Sequence, residues 1–222
     1  MNERDLPLGI HHVTAMTSDV VKNYEFFTEV LGMRLVKKTV NQDDIHTYHT
    51  YYGDDTGSPG TAMTFFDFPN NPKGIKGTNA ITRTSFRVPN DASLEYYQER
   101  FAKFDVKHEA ITTEFGKKVL RFWDFDEQAY QLISDENNVG MKPGTPWKKG
   151  PVPEKFAIYG LGPVEITVSY FNDFKEIFEE LLSFEEIAQE GNRYLLEVGE
   201  KGNGAQVVLI EDATQNIAQQ GY

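Results

Sequence analysis

The sequence has no cysteine. That excludes disulfide scaffolds, zinc–thiolate sites and cysteine nucleophiles, and leaves nitrogen and oxygen ligands for any metal. Positive charge is also scarce: 22 Lys and Arg stand against 34 Asp and Glu, for a net charge of -12 and a pI of about 4.9. Such a chain repels a phosphate backbone, so nucleic acid is not expected as a partner. No apolar run reaches the roughly 18 residues that a membrane span needs, and the charged stretch Met1–Pro7 has no apolar segment behind it. No membrane partner is expected, and the expected location is cytoplasmic, a reducing compartment that a chain without disulfides fits. What the 222 residues do contain is enough apolar and aromatic material, 39% and 13%, to build real cores.

The sequence repeats one order of elements three times: a short strand, an amphipathic helix and three further strands. The first unit opens with His11-His12-Val13-Thr14-Ala15-Met16-Thr17. Its helix sets Val20, Tyr24, Phe27 and Leu31 on one face, with Ser18 as N-cap and Gly32 as stop. Strands follow at Arg34–Val40, Thr47–Tyr52 and Ala62–Phe68. The second unit has a strand at Ala80–Val88, a helix capped by Asn90 or Asp91 with Leu94, Tyr97, Phe101 and Phe104 along it, and strands near Val106–Ile111, Lys118–Phe122 and Tyr130–Ser134. The third runs from Val164–Ser169 through a helix after Asn172, carrying Phe174, Ile177, Phe178 and Leu181, to strands near Glu185–Ala188, Arg193–Val198 and Gln206–Ile210. Between the second and third units, Gly140, Pro143, Gly144, Pro146, Gly150, Pro151 and Pro153 forbid a continuous element and mark a linker. The expected fold class is α+β, with βαβββ units at 1–70, 71–136 and 158–222, a linker at 137–157, and sheets that pair into cups. One unit buries only one face of its sheet, so an odd number leaves one face uncovered.

Of the five histidines, His11 and His12 lie on the opening strand, where alternation places His12 with Thr14 on one face and His11 on the other. In Thr47-Tyr48-His49-Thr50-Tyr51, alternation groups Thr47, His49 and Tyr51, which suits a pocket-lining role for His49 better than ligation. His46 and His108 read as solvent-facing, Trp123 and Trp147 as packing, and Glu176, Glu179 and Glu180 as the wet face of the third helix. The run Gly57–Thr61 lies between strands with no Lys-Ser/Thr after it, so it is a turn and not a phosphate loop.

Several motifs stand in order along the chain: Gly9-Ile10-His11-His12-Val13-Thr14, Tyr24-Glu25-Phe26-Phe27, Leu31-Gly32-Met33-Arg34-Leu35, Tyr48-His49, Gly57-Ser58-Pro59-Gly60-Thr61, Phe115-Gly116, Ser134-Asp135-Glu136-Asn137 and Glu190-Gly191-Asn192-Arg193. Together they resemble the bacterial hydroquinone ring-cleaving dioxygenases of the vicinal oxygen chelate superfamily. That resemblance implies four βαβββ units, a small aromatic substrate, dioxygen, and a mononuclear Fe(II) held by two histidines and a glutamate. Carried onto this sequence, the first ligand is His12, while His11 and Thr14 match positions that line the substrate pocket. The other two ligands belong to the family's fourth unit, which has no counterpart here; the third unit offers Gly162-Pro163-Val164-Glu165 where the first has His11-His12-Val13-Thr14. The expectation for the chain by itself is therefore weak metal binding, an uncovered first unit and a homo-oligomer. A glyoxalase-like isomerase or thiol-adduct enzyme, and a non-catalytic module that binds aromatics, are the alternatives that the same fold allows.

Overall fold

The structure, a computed structural model, describes residues 7–222. Its first four strands are β1 (His12–Met16), β2 (Arg34–Val40), β3 (Tyr48–Gly53) and β4 (Ala62–Phe66), with helix α1 (Val20–Glu25) after β1. The second set is β5 (Ala80–Val88), α2 (Asp91–Lys103), β6 (Thr112–Glu114), β7 (Lys117–Trp123) and β8 (Ala129–Ser134). The third is β9 (Gly160–Val168), α3 (Phe171–Glu176), β10 (Glu185–Glu190), β11 (Arg193–Glu197) and β12 (Gln206–Glu211). In each set the first strand pairs in parallel with the last, and the remaining pairs are antiparallel. Residues 137–157 form neither helix nor strand.

The first set makes a four-stranded sheet, β1-β4-β3-β2. The second and third share an eight-stranded sheet, because β5 and β9 pair antiparallel at its centre. This sheet curls until its margins meet: the Phe115 N–H beside β6 donates to Glu190 Oε1 at 2.8 Å, and Arg193 bonds Glu114 at 2.7 Å. Among the described residues the outer edge of β1 has no strand beside it. The architecture is thus α+β, with one open sheet and one curled half-barrel.

Helix packing follows from the apolar spacing. Leu94, Tyr97 and Phe101 are fully buried on α2, whose N-cap Asn90 accepts the Ser93 N–H at 3.0 Å. They meet Phe122, Tyr130 and Leu132 of β7 and β8 in a core continuous with Phe27, Tyr52 and Phe65 of the first set. Each such ring contributes about 2–3 kcal/mol by leaving water.

Several sequence expectations fail at the helix ends. Helices α1 and α3 each pass into a π-helical turn, Phe26–Val30 and Ile177–Leu181. The extra residue in the turn changes which side chains face the core: Tyr24, Ile177 and Leu181 are 44%, 47% and 68% exposed instead of buried, while Phe26 joins the core. Asp19, not Ser18, caps α1, accepting from Val21 and Lys22, and Tyr170, not Asn172, precedes α3. Phe104 caps α2 and is 41% exposed. The strand expected at Val106–Ile111 is absent; only His108 bridges to Phe122, and β6 starts at Thr112. Pro163 is tolerated inside β9 because the ladder to β5 shifts register between Thr84 and Phe86, which leaves no bond for its missing N–H to make.

All three helices end on a left-handed residue: Gly32 at φ 73°, Asp105 at 54° and Ser183 at 59°. The same turn is thus built three times, with glycine only in the first. A side chain in this region costs about 1 kcal/mol and serine has less local compensation than aspartate. Ser183→Gly is therefore expected to raise stability by about 0.5 kcal/mol, seen as a higher urea midpoint at unchanged slope. A lower midpoint would contradict this.

Candidate active site

The open sheet presents a polar face. Pleating sends Val13 and Ala15 of β1 towards the helix and His12 and Thr14 to the other side, while β4 sets Thr64 directly opposite Thr14. Tyr51 of β3 lies opposite Thr64, and His49 opposite Phe66. These side chains form one hydrogen-bonded row across three strands. Thr14 Oγ1 is 2.9 Å from Thr64 Oγ1, Thr64 Oγ1 is 3.3 Å from His49 Nε2, and His49 Nδ1 is 2.9 Å from the Tyr51 hydroxyl. The His49 ring stacks on Phe66 at 3.9 Å between centroids, and Lys37 Nζ lies 5.6 Å from the Tyr51 ring. Burial, then the neighbouring His12 and Lys37 charges, push the His49 imidazole below its ordinary value. It is therefore neutral at pH 7 and keeps a lone pair for accepting a proton.

His11 lies beyond the reach of alternation. β1 begins at His12, so His11 lies outside the pleat, and its Nδ1 approaches His12 Nδ1 to 3.0 Å. The Gly60 N–H donates to the His11 carbonyl at 2.9 Å and holds this turn in place. His11, His12 and Thr14 are thus gathered at one exposed strand end. Of these three, Thr14 lines a cleft of about 1100 Å³ between the two sheets, which runs past Phe66 to Arg83 and Trp123.

Two loops fix this strand. Asp126, after β7, accepts from Thr17 Oγ1 at 2.8 Å, from the Ser18 N–H at 3.0 Å and from Ser18 Oγ at 2.5 Å, so Ser18 anchors the far end of β1 instead of capping α1. The turn Gly57–Thr61 is organised by buried Asp54, whose carboxylate accepts the Ser58 N–H at 2.9 Å and the Thr145 N–H at 2.8 Å. That second bond ties the irregular segment to the first sheet.

The curled sheet has a corresponding inner face with different chemistry. Counting back from the helix N-caps Asp19, Asn90 and Tyr170, the place of Thr14 is taken by Ser85 and Glu165, and that of His12 by Arg83 and Pro163. Glu165, 3% exposed, bonds Arg83 at 3.3 Å and Arg193 at 2.6 Å; Arg193 continues to Glu114 at 2.7 Å, and Glu114 to Arg121 at 2.5 Å. Charge pairs fill this cup, whereas the first remains open.

Of the residues singled out from the sequence, His49 joins the hydrogen-bonded row with Thr64 and Tyr51, and His46 is exposed as expected. His108 is not solvent-facing: it is half-buried beside Phe101, with its Nδ1 2.8 Å from the Val106 carbonyl. Thr64 and Tyr51 join this row without having been singled out in the sequence as candidate site residues. Alternation grouped Tyr51 with His49, but only the register between β1 and β4 brings Thr64 to Thr14.

Among the described residues, no three His, Asp or Glu side chains converge to hold a metal. His12 and the other donors among the described residues do not by themselves complete a mononuclear centre. Among them, also, no helix is long and apolar enough to cross a membrane.

The chain is 42% identical over 208 residues to MhqA of Bacillus subtilis (strain 168), named as a candidate ring-cleaving dioxygenase; the match covers 91% of this chain and 65% of MhqA. It is 27% identical over 209 residues to the chlorohydroquinone/hydroquinone 1,2-dioxygenase of Sphingobium indicum, covering 92% of this chain and 64% of that protein. The chain thus spans less than two thirds of the length of either relative. A crystal structure of a candidate dioxygenase from Bacillus subtilis superposes with a TM-score of 0.87 at 28% identity, over 97% of this chain and 67% of that one. Glyoxalase I from Zea mays superposes with a TM-score of 0.70 at 14% identity, over 99% and 74%, which speaks for the fold alone. The family model of the Glyoxalase/Bleomycin resistance protein/Dioxygenase superfamily matches residues 9–132, more than half of the sequence, and the chain belongs to that superfamily.

Proposed function

We propose that this chain is part of a ring-cleaving dioxygenase that opens hydroquinone-type rings with dioxygen at a mononuclear Fe(II), for which His12 supplies one ligand. The observation that carries this reading is the open polar face that His12 shares with Thr14, the latter lining a cleft, in a chain whose relatives are named as ring-cleaving and hydroquinone dioxygenases. The remaining ligands lie, on this reading, outside the 222 residues. The chain's own contribution is to bind and orient the ring. Thr14, exposed on the His12 face, contacts a phenolic oxygen, and His11, drawn in by its bond to His12, orients the same group.

In a protein extended by a further βαβββ unit that carries the other ligands, His12→Ala is expected to weaken Fe(II) binding by more than about 100-fold. Loss of a group that merely supports a ligand already costs about 10- to 100-fold. The far-UV circular dichroism should not change, because His12 is exposed and its loss opens no cavity. Stoichiometric iron retained by the variant would remove His12 from the metal site.

A further inference from the structure

From the row of hydrogen bonds across the open sheet, we infer that Thr14, Thr64 and His49 form a proton relay that takes the hydroxyl proton of a bound phenol to His49 Nε2. This rests on the function proposed above, which supplies the phenol at Thr14, and goes beyond it by assigning roles to Thr64, His49 and Tyr51.

The direction of the relay follows from donor and acceptor capacity. Thr64 is fully buried, and its hydroxyl has one proton but two polar contacts, Thr14 Oγ1 at 2.9 Å and His49 Nε2 at 3.3 Å. It can donate to only one, and an imidazole nitrogen is the stronger acceptor. Thr64 therefore donates to His49, and Thr14 donates to Thr64. This leaves the lone pairs of Thr14 to accept from whatever occupies the cleft. With Nε2 as acceptor the imidazole proton is on Nδ1, from which it is donated to the Tyr51 oxygen at 2.9 Å. Tyr51 is half-buried, so its own proton can be given to water.

When the phenol O–H bond breaks, its proton passes to Thr14 Oγ1, the Thr14 proton passes to Thr64 Oγ1, and the Thr64 proton passes to Nε2. The phenol becomes a phenolate, both threonines end as neutral hydroxyls, and His49 becomes an imidazolium. No electron moves. The groups around His49 suit a transient acceptor: burial and the Lys37 charge keep it neutral at rest, so that it later returns the proton. The curled sheet holds no such row. Arg193 and Val119 stand where β11 and β7 match His49, and Glu165 replaces Thr14, giving an ion pair with no hydroxyl chain.

Two measurements on the 222-residue chain test the relay. Long-range proton–nitrogen NMR of histidine-labelled protein should show His49 protonated at Nδ1 and unprotonated at Nε2 at neutral pH, with Tyr51→Phe mixing the two tautomers. With 4-nitrophenol as the probe, read by its visible phenolate band, the ionisation constant of the bound phenol should fall about tenfold, or one pKa unit, in Thr64→Val and in His49→Gln. Affinity for the neutral probe should not change. Thr64→Ser, which keeps the hydroxyl, should match the parent and so separates the relay from packing. A proton on His49 Nε2, or equal ionisation in parent and Thr64→Val, would overturn the relay and leave the aromatic site standing. No binding of the probe to any form would instead sink the site and the relay with it.

Discussion

Asp135→Ala is expected to destabilise the fold by about 3–5 kcal/mol, the range for breaking a buried ion pair by removing one partner. Asp135 follows β8 and lies 2.7 Å from Arg87 Nη2, with the two side chains 5% and 3% exposed. It also accepts from the Tyr159 hydroxyl and Asn203 Nδ2, each at 2.8 Å, while Arg87 reaches the Met141 carbonyl at 2.9 Å. The cluster therefore joins β5, the irregular segment and the turn before β12. Truncation leaves Arg87 charged in a place that water does not reach, and that residual charge is the main cost. Removing both charges, as in Arg87→Met with Asp135→Leu, should recover most of the loss. Urea unfolding of the three proteins decides the matter: a loss under about 1 kcal/mol for Asp135→Ala would mean that Arg87 finds another partner or reaches solvent.

Stability should fall as pH rises from about 4 to about 7, and Asp124 is the reason. This carboxyl is 7% exposed at the end of β7, and burial pushes its pKa up to about 7, against the bonds it accepts from the Gln128 and Asp126 N–H groups and from the Tyr130 hydroxyl. The nearby Asp126 charge pushes the same way as burial. A carboxyl with a raised folded pKa holds its proton longer in the native state than in the unfolded chain, so the native state binds more protons between the two values. Stability is then largest below the unfolded pKa and declines until the folded value is passed. At about 1.4 kcal/mol per unit the decline is on the order of 2–4 kcal/mol. Asp54 acts oppositely: its lowered pKa, held down by the Ser58 and Thr145 N–H groups against the effect of burial, makes stability fall as pH drops below about 4. Asp124→Asn keeps an acceptor for the two N–H groups and has no charge to bury. It should therefore flatten the profile between pH 4 and 7 and be the more stable protein at pH 8, read as urea midpoints. A parent-like slope in Asp124→Asn would assign the pH dependence to another group.

The same loop that holds Asp124 also places Asp126 on Thr17 and Ser18, at the far end of β1 from His12. Gln128 adds a bond from its side-chain amide to the Met16 carbonyl at 2.5 Å. The strand that carries the candidate ligand is thus clamped by a loop of the curled sheet that no local pattern connects to it. This is why the second set of strands matters to the site although its own cup is filled by arginine and glutamate.

Periodicity was enough to locate most elements. The bounds of β2 and β5 are those expected, because a half-buried strand bounded by turn residues leaves little choice of register between its two faces. The face shared by His12 and Thr14, and that shared by His49 and Tyr51, were legible for the same reason. Local pattern failed where a backbone bond of non-standard span decided the outcome. The Leu31 N–H reaches Phe26 and the Leu182 N–H reaches Ile177, and these π-type bonds turn Tyr24 and Leu181 out of the core that a regular helix would give them. Alternation could not place His11, because it holds only inside a strand, and β1 starts one residue later.

Composition and spacing by themselves determined the α+β class, the threefold recurrence and the face that His12 shares with Thr14, since each depends on a few neighbouring positions; the roles of those residues are what the family resemblance implies. Tertiary structure decided which sheets join and which stay open. The antiparallel pairing of β5 with β9 depends on contacts between strands some eighty residues apart, and it closes one cup around Arg83, Glu165 and Arg193 while, among the described residues, the sheet that bears His12 keeps a free edge. It alone brought Thr64 under Thr14 and His49, because the pairing of β1 with β4 is a long-range register that no run of adjacent residues encodes.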